Sequence, residues 1–286
     1  MRLGISSYAY PWAVGMPGAV PDQPLDAFML LEKAVSLELK IVQIADNIPL
    51  DALSSDGLSA LAGRARDLGI TIEVGTAGLS NERLHRYLRI ARSLSSDILR
   101  IVIDIAGIRP DAGEITRILR AALPDFERAC VPIAIENHDR FKASELARII
   151  GEIDSPYLGI CLDTVNSFAQ VEGVDLLIDV LQPWIMNVHI KDFTVRRTSN
   201  KIGFLVEGAP AGAGDLDLPG MVRRLRALPR SVSLILEQWP PFVRDISATV
   251  ANEDEWARRS IECLRKTIGA DDPIEVFSGS PQSAHR

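Results

Sequence analysis

The chain has 286 residues, 47% hydrophobic and 24% charged, with a net charge of −7 at neutral pH. That length allows one large domain with a sizeable core, and a single (β/α)8 barrel takes about 250 residues. The acidic balance argues against nucleic acid and anionic membrane as partners, and no apolar run nears the roughly 20 residues needed to span a bilayer.

Short apolar runs alternate with amphipathic stretches along the whole chain. A strand is expected at 2–8, then a helix at 26–37, where Phe28, Leu31 and Val35 recur at spacings of three and four. Strands follow at 41–46 and 71–75, the latter just after Gly69, a helix C-cap candidate. Ser80 is a candidate N-cap for a helix at 81–94. The run ILRIVIDIA supplies a strand at 99–104 and suits a parallel strand buried on both faces. The series continues with helix 114–129, strand 132–138, helix 144–153, strand 159–164, helix 175–181 and strand 186–192. It closes with helix 218–228, strand 233–239 and helix 253–268.

Eight strand–helix repeats without a Gly/Ser linker predict an α/β protein with one closed (β/α)8 barrel over residues 1–270. Residues 193–217 lack a convincing helix, and a loop that long in a compact barrel is usually functional. The polar stretch 271–286 is expected to be a mobile or partner-contacting tail. Three cysteines and no CxxC suit a reducing compartment, with Cys130 and Cys161 expected as buried free thiols. The first residues lack the apolar segment of a signal peptide, so a cytoplasmic protein is expected.

Barrel active sites lie at the C-terminal ends of the strands. The fifth strand reads PIAIENH and presents Glu136, the sixth reads GICLDTVN with Asp163, the seventh reads MNVHIKD with His189, and the eighth reads LILEQW with Glu237. Four ligand-type residues thus fall at matching places on four consecutive strands. Three carboxylates at one mouth repel one another and are costly to bury unless paired or metal-bound. A divalent cation resolves that repulsion. Three oxygen ligands and one imidazole suit Mn²⁺ or Mg²⁺, with Co²⁺ and Zn²⁺ left open. Asp104 and Glu73, near the ends of strands four and three, are expected in salt bridges. Lys191, Arg196, Arg197 and Lys201 form a basic group that would face the same end and bind a substrate carboxylate or phosphate. His138, Trp12 and Trp239 are further candidates for substrate contact, the tryptophans as an apolar wall under a sugar ring.

The segments IAIENH, CLDTVN, NVHIKD, AGAGDLD and LILEQW resemble, in order, the sugar phosphate isomerase/epimerase superfamily with its xylose isomerase-like TIM barrel. The resemblance implies a Glu-Asp-His-Glu metal site at Glu136, Asp163, His189 and Glu237. In ketose 3-epimerases of this superfamily the two glutamates are also the acid/base pair, which maps onto Glu136 and Glu237. The chain departs from those epimerases at Asn166, where they carry a histidine, and at Val195, where they carry an arginine, with Arg196 beside it. Asn166 is therefore expected at the substrate. The first reading is an isomerase or epimerase of a sugar acting through a metal-stabilised enediolate. The second is a metal-dependent decarboxylase of a 3-oxo sugar acid, because KDFTVRR…GFLVEGAPAGAG resembles the 3-oxo-isoapionate decarboxylases. The implied partner is a small sugar or sugar acid, and the resemblance also implies a dimer or tetramer. Abasic-site endonucleases share the barrel but need more histidines than the four here and a DNA-binding face.

Overall fold

The computed structural model describes residues 1–269. The order is β1 (Arg2–Ser6), α1 (Pro11–Val14), α2 (Ala27–Ser36), β2 (Ile41–Ile44), α3 (Ser55–Leu68), β3 (Thr71–Ala77), α4 (Asn81–Ser93), β4 (Leu99–Val102) and α5 (Ala112–Ala129). Then come β5 (Ile133–Glu136), α6 (Ala143–Ile153), β6 (Leu158–Asp163), α7 (Val174–Leu181), β7 (Ile185–Ile190), β8 (Asp192–Arg197), β9 (Phe204–Ala209), α8 (Leu218–Arg226), β10 (Ser233–Leu236) and α9 (Ile246–Gly269). Strands β1 to β7 and β10 close into one parallel barrel, with β10 between β7 and β1. β8 and β9 pair as a separate antiparallel hairpin.

The strands are buried on both faces, as their apolar runs require. Side chains alternate along each strand. Ile133 and Ile135 of β5, Leu162 of β6 and Val188 of β7 join the main core shared with the helices. The opposite parity turns into the barrel, where Ala134 and Cys161 pack with Ile98. One step further up on these strands that parity carries Glu136 and Asp163, so the alternation that builds the core also delivers the carboxylates. Register sets their height: Asp163 is the direct partner of His189, and Glu136 of Cys161.

Local signals hold the helices in place. Asp26 and Ser80 cap α2 and α4 by accepting from the backbone of Met29 and Arg83. Asp111 and Glu114 cap α5 reciprocally. Gly69 caps α3 in the left-handed region at φ 64°. Helix α3 itself is an addition to the sequence reading. Its composition is largely polar, but Leu58, Leu61 and Ala65 are buried along one face. The last helix starts at Ile246, ahead of the expected 253. Most strands end earlier than expected, among them β4 at Val102, β5 at Glu136 and β10 at Leu236, so Glu237 is the first residue beyond its ladder.

Residues 193–217 fold into more than a loop. Val195, Arg196 and Arg197 pair with Val206, Leu205 and Phe204 across a turn at Lys201 and Gly203. The Asp192 carboxylate then gathers the returning chain by accepting from the backbone of Gly212, Gly214 and Leu216. A Cβ at Gly214 would stand 2.2 Å from an Asp192 oxygen, which explains the glycine in AGAGDLD.

The cysteine expectation is corrected in part. Cys161 is buried, Cys130 is exposed and Cys263 is half-buried, all three free. Cys130 is exposed because it is the left-handed C-cap of α5 and leads out of the helix. The tail at 271–286 lies outside the described residues. No helix among those described is long and apolar enough to cross a membrane.

Candidate functional site

Glu136, Asp163, His189 and Glu237 converge at the C-terminal end of the barrel, all buried. His189 Nδ1 stands 3.2 Å from Glu136 Oε2, 3.3 Å from Glu237 Oε1 and 3.7 Å from Asp163 Oδ2. Asp163, His189 and Glu237 each offer a ligand atom within 4.8 Å of the others. Asp163 Oδ2, His189 Nδ1 and both Glu237 oxygens are buried and make no hydrogen bond among the described residues. Buried polar atoms almost always find partners. Buried ligand atoms this close together without a directed hydrogen bond are a donor set a divalent cation fits, and carboxylate oxygens with one imidazole suit a hard or borderline ion.

The other carboxylate oxygens are engaged by the protein. Asp163 Oδ1 accepts from the backbone of Val165 and Asn166, which turns Oδ2 toward His189. His189 Nε2 meets Gln43 Oε1 at 2.6 Å, leaving Nδ1 as the nitrogen that faces the carboxylates.

Two cations complete the site, Arg100 buried and Lys191 partly buried at the cavity wall. Lys191 Nζ lies 2.7 Å from Asp163 Oδ2 and 2.9 Å from Glu237 Oε2, near enough for ion pairs although not directed as hydrogen bonds. Arg100, on β4, donates from Nε to Glu136 Oε2 and from Nη1 to Asp46 Oδ1 at 2.8 Å. Asn166 Nδ2 donates to Glu136 Oε1 at 2.7 Å. Both oxygens of Glu136 are therefore held. Burial alone would push the Glu136 carboxyl up, but the Arg100 guanidinium, with His189 and Lys191, holds it well below the usual carboxylate range. Burial likewise opposes ionisation of Asp163, and the Lys191 ammonium and His189 keep it lowered. Burial pulls the Lys191 ammonium down, yet Asp163 and Glu237 hold it far above its ordinary value. Burial pulls the His189 imidazole down, and the anionic forms of Cys161, Glu237 and Glu136 raise it well above its ordinary value. Burial pushes the Cys161 thiol up to about 11, so near neutral pH it is uncharged and the two glutamates are what act on His189.

A cavity of about 320 Å³ opens over this cluster, lined by Tyr8, Asp46, Arg100, Glu136, Lys191 and Glu237 among others. It shares Tyr8, Asn166 and Lys191 with a more apolar mouth of about 580 Å³ that contains Trp12 and Trp239. Both tryptophans thus sit where a substrate wall was expected, Trp12 fixed by a hydrogen bond from Nε1 to the Pro240 carbonyl. His138 lines the polar cavity and lies 3.4 Å from Asp139.

Arg196 is not brought to the site. It is 55% exposed on the hairpin and pairs with Glu207. Arg197 stacks over Phe204 instead. The basic group expected from the sequence therefore reduces to Lys191 at the carboxylates. Arg100 takes the second place and was not anticipated. The missed signal was an arginine inside an apolar parallel strand, which needs a buried partner. Asp104 pairs as expected, with Arg140 and Arg109. Glu73 does not: among the described residues it has no ion-pair partner, and it accepts instead from Gln43 and Ser233.

A model of the xylose isomerase-like TIM barrel family matches residues 31–267. The chain belongs to that family. Within it, the chain is 34% identical over 264 residues to 3-oxo-isoapionate decarboxylase of Pectobacterium atrosepticum, covering 92% of this chain and 95% of that one. Among solved structures it resembles the D-psicose 3-epimerase of Clostridium cellulolyticum with D-tagatose, at 18% identity and a TM-score of 0.72 over 94% of this chain and 99% of that one. It also resembles a xylose isomerase-like TIM barrel protein of Mycobacterium smegmatis in complex with magnesium, at 13% identity and a TM-score of 0.69 over 93% and 97%. At these identities the two structures speak for the family fold alone.

Proposed function

We propose that this xylose isomerase-like barrel is a divalent-metal-dependent carboxy-lyase acting on a 3-oxo sugar acid. Glu136, Asp163, His189 and Glu237 would hold the cation, with Mn²⁺ or Mg²⁺ preferred by the oxygen-rich donor set. When bound, it supplies Lewis-acid stabilisation of developing negative charge. The observation that carries the reading is a pair of cations, Arg100 buried and Lys191 at the cavity wall, placed against the carboxylates. They draw an anionic substrate into a cavity that would otherwise repel it. Similarity to a 3-oxo-isoapionate decarboxylase supports the same substrate class.

In such a substrate the carboxylate is borne by the carbon next to a ketone. The bond to the carboxylate breaks, its electron pair passes into an enolate, and carbon dioxide leaves. No base is needed to begin. One proton must then be given to the carbon that lost the carboxylate. The Lys191 ammonium lines the cavity; Asp163 and Glu237, which hold its proton far above the ordinary range, are carboxylates that a bound cation would take, and relieved of them the ammonium is the group placed to give that proton. Arg100 keeps Glu136 ionised and fixed.

The isomerase or epimerase reading has one observation in its favour, the approach of both Glu136 and Glu237 to His189 Nδ1 at 3.2 and 3.3 Å. It needs both glutamates to exchange protons with substrate. Glu136, held at both oxygens and strongly acidic, is poorly suited to accept one.

Proton NMR in D2O, with Mg²⁺-loaded protein and a panel of ketoses, ketose phosphates and 3-oxo sugar acids, separates the readings. The expected result is turnover of the acids alone, with one deuterium in each product. Exchange of a ketose C–H with retention of every carbon would overturn the proposal in favour of an epimerase.

A further inference from the structure

Beneath the candidate metal site a line of buried polar side chains runs down the barrel interior. His189 Nε2 lies 2.6 Å from Gln43 Oε1. Gln43 Nε2 donates to Glu73 Oε2 at 3.0 Å, and Ser233 Oγ donates to Glu73 Oε1 at 2.6 Å. The four residues come from β7, β2, β3 and β10, and all are at most 2% exposed. Neither acid/base chemistry nor substrate binding uses Gln43, Glu73 or Ser233.

An imidazole can offer Nδ1 to a metal only if its remaining proton sits on Nε2, and that proton needs an acceptor. A glutamine amide is ambiguous: its oxygen accepts and its nitrogen donates, so a flip of the amide would reverse the message passed to His189. Burial without an ion-pair partner among the described residues raises the Glu73 carboxyl above its ordinary range, but both its oxygens are committed, Oε1 to Ser233 Oγ and Oε2 as acceptor for Gln43 Nε2. The amide nitrogen therefore points to Glu73. Its oxygen must then point to His189, the Nε2 proton is held, and the Nδ1 lone pair faces Asp163 and Glu237. Ser233, donating to the other oxygen, fixes the carboxylate itself.

We infer that Glu73 is a positioning residue for the metal site, acting through the Gln43 amide to keep the His189 proton on Nε2 and so present Nδ1 to the cation. This rests on the reading of the four-residue cluster as a metal site.

The test is calorimetric titration of the chelator-treated full chain with Mn²⁺ and with Zn²⁺. Glu73→Gln leaves a residue that tolerates either orientation of Gln43, and metal affinity is expected to fall about 10–100-fold, the usual effect of removing such a partner. The exchanged variant Gln43→Glu/Glu73→Gln again sets an acceptor-only group against Nε2, and recovery to within about threefold of wild type is expected. A merely structural role would lower the thermal stability of both variants without this pattern. If wild type binds the metals and Glu73→Gln binds them equally well, the inference is overturned alone. It is also overturned if the exchanged variant is no better than Glu73→Gln. If wild type binds neither metal, the metal reading of the cluster falls with it.

Discussion

Replacing Arg100 by Met leaves Glu136 buried with its principal countercharge gone. The pair is almost entirely out of water, at 3% and 1% side-chain exposure. Breaking a buried ion pair from one side costs about 3–5 kcal/mol, because the remaining charge is stranded. At about 2–4 °C per kcal/mol for a domain of this size, the melting temperature of the metal-free protein should drop by roughly 6–20 °C at pH 7.5. The pH dependence has a definite sign. A carboxyl held below its ordinary range stabilises the fold above that range and loses the contribution as pH falls through its folded pKa. In the variant Glu136 takes a proton more easily, so the gap from wild type should narrow between pH 8 and pH 5. Adding Glu136→Gln to Arg100→Met should recover much of the loss. Thermal unfolding followed by circular dichroism in chelator, across that pH range, measures all of this. A gap below about 1 kcal/mol at pH 7.5, or no recovery in the double variant, refutes the reasoning.

Lys191→Met should lower turnover by about 10²–10⁴-fold, the usual worth of a positioned acid. Calorimetry on the same variant should still register Mn²⁺ binding, because the four converging residues are intact. Arg196→Ala should change kcat and KM for a sugar acid by less than about twofold and leave the melting temperature essentially unchanged, since its pairing is to Glu207 on the exposed hairpin. A selective rise in KM would restore it to the site. Glu237→Gln should weaken Mn²⁺ binding and abolish turnover together, read by calorimetry and by carbon dioxide release.

The barrel and the four converging residues were legible because both rest on simple periodicities. Parallel strands buried on two faces write continuous apolar runs, and a lone polar residue at the end of each run marks the catalytic rim. Glu136, Asp163, His189 and Glu237 all carry that mark. Arg100 does not. It stands inside ILRIV, and its neighbours hide that its parity turns it into the barrel toward a glutamate on the next strand. Gln43, in the run IVQI, is concealed in the same way and meets His189 from far along the chain. The hairpin at β8 and β9 is hidden for a different reason: it is an exposed two-stranded ribbon, and β9 opens on three consecutive apolar residues, Phe204 to Val206, with no alternation to mark a strand. Arg196 read as a site residue because it follows Lys191 closely, but the ribbon carries it outward to Glu207.

The reaction proposed for this cluster is metal-dependent loss of a carboxylate. It is tested most directly with chelator-treated enzyme, reloaded with one divalent ion at a time and given a 3-oxo sugar acid labelled with ¹³C in its carboxylate. ¹³C bicarbonate is expected in step with substrate loss, only after metal is restored, and about 10²–10⁴-fold more slowly in Lys191→Met. Label that stays in the sugar acid while a neighbouring C–H exchanges, or equal release by metal-free enzyme, would contradict it.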